Sequence, residues 1–266
     1  MIKSWMLNLQ KCMEGSKKMI YITGDTHGNW KSRLHHDVFP EGDTLSKNDY
    51  VIICGDFGLW HDTEDERFAL NWLNAQPFST LFVCGNHENY DRLYQYPVEE
   101  WHGGKIHKIC DSVFHLMRGQ VFDINGKKFF TFGGASSHDV SDGILEKDDP
   151  RIYEWIGLFD KMFRINHKSW WKEELPLEEE MEEGIKNLKS HDQKVDYIVT
   201  HCPYTSLLKK MDGGAHLYEP DYLTDYLQKI RESVKYKKWF FGHMHINEDF
   251  KEENAIGIYE QIIRIV

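Results

Sequence analysis

Val51-Ile52-Ile53-Cys54-Gly55-Asp56 is the stretch whose reading decides the fold. Four apolar residues in a row, with no alternation, read as a strand buried on both faces. The run stops at Gly55, and Asp56 then presents a carboxylate that water or a metal must satisfy. In an open α/β sheet the carboxyl ends of strands face the crevice where ligands bind. The same construction recurs at Met19 to Gly24 before Asp25, and at Leu81 to Gly85 before Asn86. It recurs again at Tyr197 to Thr200 before His201, and at Trp239 to Gly242 before His243. Five buried strands, each delivering a hard or borderline metal ligand, predict an α/β protein built around a metal-binding crevice.

The 266 residues fit one α/β domain, or a domain carrying a large insertion. With 41% hydrophobic and 14% aromatic residues the chain can bury a sizeable core. No apolar run approaches a membrane span, so no membrane partner is expected. The formal net charge of -11 argues against stable nucleic-acid binding, which needs basic phosphate contacts. It leaves room for a small phosphorylated substrate, a nucleotide among the candidates, drawn in by bound cations. The five cysteines (Cys12, Cys54, Cys84, Cys110, Cys202) are an odd, scattered set without C-x-x-C spacing. They read as reduced core thiols of a cytoplasmic protein. The first 18 residues lack the apolar segment of about 7–15 residues that a signal peptide requires. They read as an extension with little order, and residues 19–266 as a single domain. The sequence does not set the oligomeric state.

Asp25 and His27 stand two apart after the first strand, so on extended backbone both side chains can point one way. Trp30 to Phe39 reads as a helix, followed by a loop at Pro40 to Asp43. Thr63 and Glu66 form a capping box for the next helix, with Phe68, Trp72 and Ala75 expected on one face. Strand, ligand loop, helix, strand, ligand loop implies parallel βαβ units. From Lys105 the character changes to short strands at Val113 to Met117, Gln120 to Ile124 and Lys127 to Phe132. Asn125-Gly126 marks a hairpin, and with it a second sheet with antiparallel pairing. Ser136 to Ser190 reads as an insertion rich in charge and tryptophan, ending in an acidic helix at about Leu177 to Lys189. The acidic run Glu178 to Glu183 is a solvated helix face. Val195 to Thr200 resumes the buried-strand pattern. Glu219 to Glu232 is a helix with Tyr222, Tyr226 and Ile230 on one side, and Ala255 to Tyr259 and Gln261 to Val266 are closing strands.

The blocks Gly24-Asp25-Thr26-His27, Gly55-Asp56, Gly85-Asn86-His87-Glu88, Thr200-His201 and Gly242-His243-Met244-His245 follow in this order from Met19 to about Ile246. Together they resemble the calcineurin-like metallophosphoesterases. The resemblance implies a four-layer α/β/β/α sandwich of the metallophosphoesterase type with a two-metal centre between its loops. It also implies that Asp25, His27 and His245 hold one ion, that Asn86, His201 and His243 hold the other, and that Asp56 bridges them. Two divalent cations about 3.5–4 Å apart bind phosphate oxygens, activate a water and stabilise an in-line displacement. Nitrogen and oxygen ligands without thiolate suit manganese, iron or zinc, with manganese favoured. The function implied is that of a metal-dependent phosphoric ester hydrolase acting on a phosphomonoester or small phosphodiester through a metal-activated hydroxide. The alternatives are a nuclease of the same superfamily, or a metal-free binding module such as its retromer subunit. Such a module would have lost ligands, and every block here is filled.

His87 stands off the metals in the family, where it contacts the phosphate and donates a proton to the leaving oxygen. The phosphoprotein phosphatases of the family carry a second Asp and an Arg shortly after Gly-Asp. Here Phe57-Gly58-Leu59-Trp60 replaces them, so the usual carboxylate partner of His87 is missing. Asp62 or Asp91 could take its place. Glu88 reads as a structural hydrogen-bonder, and Asp25 and Asp56 could in themselves be turn formers. His35, His36, His61, His102, His107, His115, His167, His191 and His216 have no strand-end context and are expected at the surface or as ordinary polar residues. His138 and Asp139 follow a glycine-rich turn that either faces the site or is plain loop. Trp170-Trp171 pack the insertion or form a platform for substrate. Arg164, on the same insertion, could pair with a second phosphate if this segment covers the centre and selects the leaving group.

Overall fold

The computed structural model describes residues 18–214 and 218–266. The expected N-terminal extension, apart from Lys18, lies outside the described residues, as do Cys12 and His216. β1 (Ile20–Thr23), α1 (Trp30–Leu34), β2 (Tyr50–Ile53), α2 (Glu64–Asn74) and β3 (Ser79–Phe82) open the chain. The three strands pair in parallel, as the repeated strand–helix pattern predicts. α3 (Tyr90–Leu93), β4 (Val98–Trp101), β5 (Gly104–Cys110) and β6 (Val113–Leu116) extend this sheet. β6 lies parallel to β3, and β5 and β4 continue antiparallel beyond it. β7 (Gln120–Ile124) and β8 (Lys127–Phe132) form the expected hairpin and start the second sheet. Its turn residues Asn125 and Gly126 have φ of 57° and 71°, the left-handed pair that a tight hairpin turn needs.

Between β8 and β11 (Tyr197–Thr200) run β9 (Gly143–Leu145), α4 (Arg151–Trp155), β10 (Phe163–Ile165) and α5 (Glu178–Ser190). β8 and β11 are parallel neighbours, so this segment is the crossover between them and α5 is its helix. α6 (Thr205–Asp212), α7 (Tyr222–Ser233), β12 (Lys238–Phe241), β13 (Glu248–Phe250), β14 (Ala255–Gly257) and β15 (Ile263–Arg264) complete the chain. The two closing strands part company. β14 pairs with β12 in the second sheet, whereas β15 returns to β1 in the first.

Alternation along each strand sorts the core into layers. Ile20, Ile22, Ile52, Leu81 and Val83 of the first sheet pack between the sheets against Phe122, Phe129, Val199 and Phe240 of the second. Tyr21, Val51, Ile53 and Phe82 point the other way, onto Trp30, Leu34, Leu70, Leu73 and Leu93. Phe130, Phe132, Ile198, Trp239 and Phe241 likewise meet Leu188, Leu207, Leu223, Leu227 and Ile230 of the outer helices. The order is helix, sheet, sheet, helix, the four-layer sandwich the resemblance implies. Both strand faces are covered, which is why the central strands read as unbroken apolar runs. Each such side chain contributes about 1.5–3 kcal/mol by leaving water.

Three local expectations are corrected. α1 ends at Leu34 rather than Phe39. Asp37 turns back onto His35 and His36, at 3.1 and 2.9 Å, and Pro40 starts a separate helical turn that a continuous helix could not cross. On α2, Thr63 caps the Glu66 N–H at 3.2 Å, but the Glu66 carboxylate reaches back past Thr63 to accept from the Trp60 and His61 N–H groups instead of closing the box. Its buried face is Leu70 and Leu73, leaving Phe68 71% exposed. His107 and His115 are buried, not superficial, because the β5–β6 register sets them directly opposite one another, Nδ1 to Nδ1 at 2.9 Å. Of the four described cysteines, all free thiols, Cys54, Cys84 and Cys202 are buried and Cys110 is half-buried. Among the described residues no helix is long and apolar enough to cross a membrane.

Arg118, buried at the turn between β6 and β7, ties the two sheets to the crossover. Its Nε donates to Gly133 O at 2.9 Å, and its Nη2 donates to Glu173 O at 2.7 Å and Tyr90 Oη at 3.1 Å. Nη1 pairs with Glu180 at 3.0 Å. Arg118→Met keeps the bulk and leaves those acceptors without a donor. It is expected to lower the unfolding free energy by about 3 kcal/mol in urea denaturation. A change below about 1 kcal/mol would mean that water reaches these carbonyls after all.

Candidate metal centre

The loops that follow β1 and β2 are zipped together by backbone. The N–H groups of Thr26 and His27 donate to Asp56 O at 3.1 and 2.7 Å, and that of Gly28 to Phe57 O at 2.8 Å. The loop after β3 docks on the same turn: His87 N–H donates to Asp56 Oδ1 at 2.8 Å. Glu88 accepts from the Phe57, Gly58 and Leu59 N–H groups at 2.7, 3.2 and 3.4 Å, the structural role expected of it. Burial and the nearby Asp56 charge push its carboxyl up to about 8, against those three donors. From the second sheet, Gly242 N–H donates to His201 O at 2.9 Å, and His243 N–H to the Asp25 carboxylate at 3.0 Å. His27, Asp56, His243 and His245 all sit at positive φ, between 45° and 63°. Four non-glycine residues held in that sparsely allowed region at one place mark a site where geometry outranks local comfort.

Asp25, His27, Asp56 and His245 offer ligand atoms that all lie within 4.8 Å of one another. His245 Nε2 stands 3.2 Å from Asp25 Oδ2 and 3.2 Å from His27 Nε2, and His27 Nδ1 is 3.8 Å from Asp56 Oδ2. Beside this group, His201 Nδ1 faces Cys54 O at 2.8 Å. A carbonyl can only accept, so Nδ1 carries the proton and Nε2 is turned inward. There it lies 3.2 Å from Asp56 Oδ1 and 3.2 Å from Asn86 Oδ1. The Asp56 carboxylate thus offers one oxygen to each group. Burial disfavours charge on both Asp56 and His201, yet their attraction prevails. Asp56 is held well below the usual carboxylate range by His201, while His201 is pushed up to about 9 by Asp56 and Asp25.

His243 packs its ring 5.0 Å from that of His201, and its Nε2 meets Nε2 of His138 at 2.7 Å. The glycine-rich turn therefore faces the site. Burial, with His201 and His138 nearby, holds the His243 imidazole well below its ordinary range. This donor set fits divalent metal ions: imidazole nitrogens and carboxylate oxygens crowded together, with no thiolate among them. The glycines make the crowding possible. A Cβ on Gly85 would run into the Asp56 carboxylate, and one on Gly242 into that of Asp25.

His87 adds no ring nitrogen to these groups. Its Nε2 faces Arg164 Nη2 at 3.1 Å, and Asp139 grips the same guanidinium at Nε (2.6 Å) and Nη2 (2.9 Å). Since Arg can only donate, Nε2 of His87 is an acceptor here. Burial lowers its pKa, with Asp56 opposing and Arg164 adding to the effect. Asp62 and Asp91, the carboxylates weighed as its partners, are engaged elsewhere. Asp62 pairs with Arg67 and Arg92, and Asp91 accepts from the Trp171 indole at 2.8 Å and meets His167 at 2.9 Å. Trp171 is buried in the outer core of the first sheet, its ring 5.7 Å from that of Trp60. Sequence reasoning missed Ser137 and Glu174. Asn86 Nδ2 lies 3.3 Å from Ser137 Oγ, which donates to Glu174 at 2.6 Å. No local pattern signals a residue whose role depends on a turn 37 positions away.

A family model described as calcineurin-like phosphoesterase matches residues 18–247. A lariat debranching enzyme of Drosophila pseudoobscura pseudoobscura is 23% identical over 248 residues, covering 85% of this chain and 42% of that protein. The chain thus spans less than half the length of that relative. Among solved structures, phosphopantetheinyl hydrolase from Mycobacterium tuberculosis aligns over 95% of this chain and 97% of its own, with a TM-score of 0.48 and 15% identity.

Proposed function

The chain belongs to the calcineurin-like phosphoesterase family, and on that premise we propose that it hydrolyses a phosphomonoester or small phosphodiester at a centre of two divalent metal ions, manganese favoured. The observation that supports this most is the Asp56 carboxylate, one oxygen of which faces His27 while the other faces His201, so that it stands between the two ligand groups. Asp25, His27 and His245 would hold one ion with Asp56, and Asn86, His201 and His243 the other. Such a pair of ions binds phosphate oxygens and activates water for in-line attack. The chain's own residues do the rest. Arg164 offers N–H donors to a phosphate oxygen, and Asp139 keeps the guanidinium aimed. Once Arg164 is engaged by substrate, His87 Nε2 is free to take a proton and give it to the leaving oxygen.

A net charge of -11 favours a small substrate, a nucleotide among the candidates, over a nucleic-acid strand needing a basic track. The free thiols fit a reducing compartment such as the cytoplasm. The test is a screen of aryl phosphates, aryl phosphodiesters, nucleotides and single-stranded DNA with manganese. Turnover of a small ester that chelation removes is the expected result. Protein carrying two ions by elemental analysis, yet inert on the whole panel, would overturn the reading.

Arg164→Ala is expected to lower kcat/KM by roughly 10–100-fold on aryl phosphate and nucleotide alike, because the guanidinium stands at His87. A loss confined to the nucleotide would instead make it a leaving-group contact, the role the sequence reading allows for.

A further inference from the structure

Asn86 can serve as a metal ligand only through its amide oxygen, and an amide can be turned either way round. Two residues of the crossover settle which way it faces. Glu174 is buried in the helical turn Lys172–Glu174, where its carboxylate accepts the Ser137 N–H at 2.9 Å and the Ser137 hydroxyl at 2.6 Å. The Trp170 side chain hydrogen-bonds it as well. A hydroxyl has one proton, and that of Ser137 goes to Glu174, so only lone pairs are left for Asn86. The group 3.3 Å away must then be the nitrogen of the amide. Its oxygen faces the opposite way, to within 3.2 Å of His201 Nε2, on the side of Asp56.

We infer that Glu174 and Ser137 are positioning residues that lock the Asn86 amide with its oxygen toward the ion of His201 and Asp56. The crossover 136–190 thereby sets the affinity of that ion. Without the lock the amide rotates, and in half of its orientations an N–H₂ group points at the cation. Outer partners of this kind are worth about 10–100-fold in metal affinity. The inference rests on the reading above, in which Asn86 is a ligand.

The experiment is calorimetric titration of the metal-free full chain with manganese, with bound metal counted by elemental analysis. It compares wild type, Asn86→Ala, Ser137→Ala and Glu174→Gln. Wild type should take two ions, and Asn86→Ala one. Ser137→Ala and Glu174→Gln should bind the first ion as wild type does and the second about 10–100-fold more weakly. Wild type binding fewer than two ions, or Asn86→Ala keeping both, would sink the ligand reading itself. Normal second-ion affinity in Ser137→Ala, alongside the expected loss in Asn86→Ala, would overturn the lock alone. Equal weakening of both ions would also overturn it, since a collapsed site does not discriminate between them. Should Glu174→Gln fail to fold, Ser137→Ala, which removes a single oxygen, decides by itself.

Discussion

Asp56→Asn is expected to empty both metal positions and to lower kcat/KM by on the order of 10³-fold, about 4 kcal/mol of transition-state stabilisation. The reason is the division of labour within one carboxylate. Oδ1 lies 3.2 Å from His201 Nε2 and Oδ2 lies 3.8 Å from His27 Nδ1, so each oxygen serves one ligand group. An asparagine turns one of those oxygens into a donor and removes the charge that two cations would share. His201 also loses the anion that holds its imidazole up at about 9. The backbone should tolerate the change: residue 56 sits at φ 45°, a conformation asparagine accepts more readily than most residues. Elemental analysis and a melting curve separate the two effects. A variant that keeps both ions, or one that loses its fold together with them, contradicts the bridging role.

How far the sequence could be read follows from how local each feature is. The strand-end residues were legible because an apolar run, a glycine and a ligand sit within a few positions and need no partner to be recognised. The Asn125-Gly126 turn and the Thr63 cap are local in the same sense. The four layers were not derivable from pattern alone, since alternation along Tyr50–Ile53 is invisible when both faces are apolar. That step came from the order of the motifs. Errors fell where a distant element overrides the local pattern. His107 looks like any polar residue of a short strand until its register with His115 turns both inward. Phe68 has the right spacing for a helix face, but the face that meets the sheet carries Leu70 and Leu73. Arg164 sits on a three-residue strand, too short to show a period, and meets His87 across 77 residues. Its place depends on the path of the crossover, which no window of sequence encodes.

The second large effect expected is at His87. His87→Ala should retain both ions and the melting temperature of wild type while kcat falls by ~10²–10⁴-fold, about 3–5 kcal/mol. Its link to the ligand set is its backbone N–H, which donates to Asp56 and survives the substitution. Its ring stands edge-on to His27, 5.1 Å away, and faces Arg164 rather than the ligand groups. The effect belongs in kcat because a proton delivered to the leaving oxygen matters only as the ester bond breaks. Arg164 complicates this in a way that can be measured. While its Nη2 donates to Nε2, the imidazole holds a lone pair where the mechanism needs a proton. A substrate phosphate must therefore draw the guanidinium away before His87 can act, so the two residues work in sequence on one ester. Their losses should not add: with the imidazole gone, Arg164→Ala should cost the double variant much less than it costs wild type. Fully additive losses would mean that the two side chains act independently, and loss of metal in His87→Ala would return the imidazole to the ligand set.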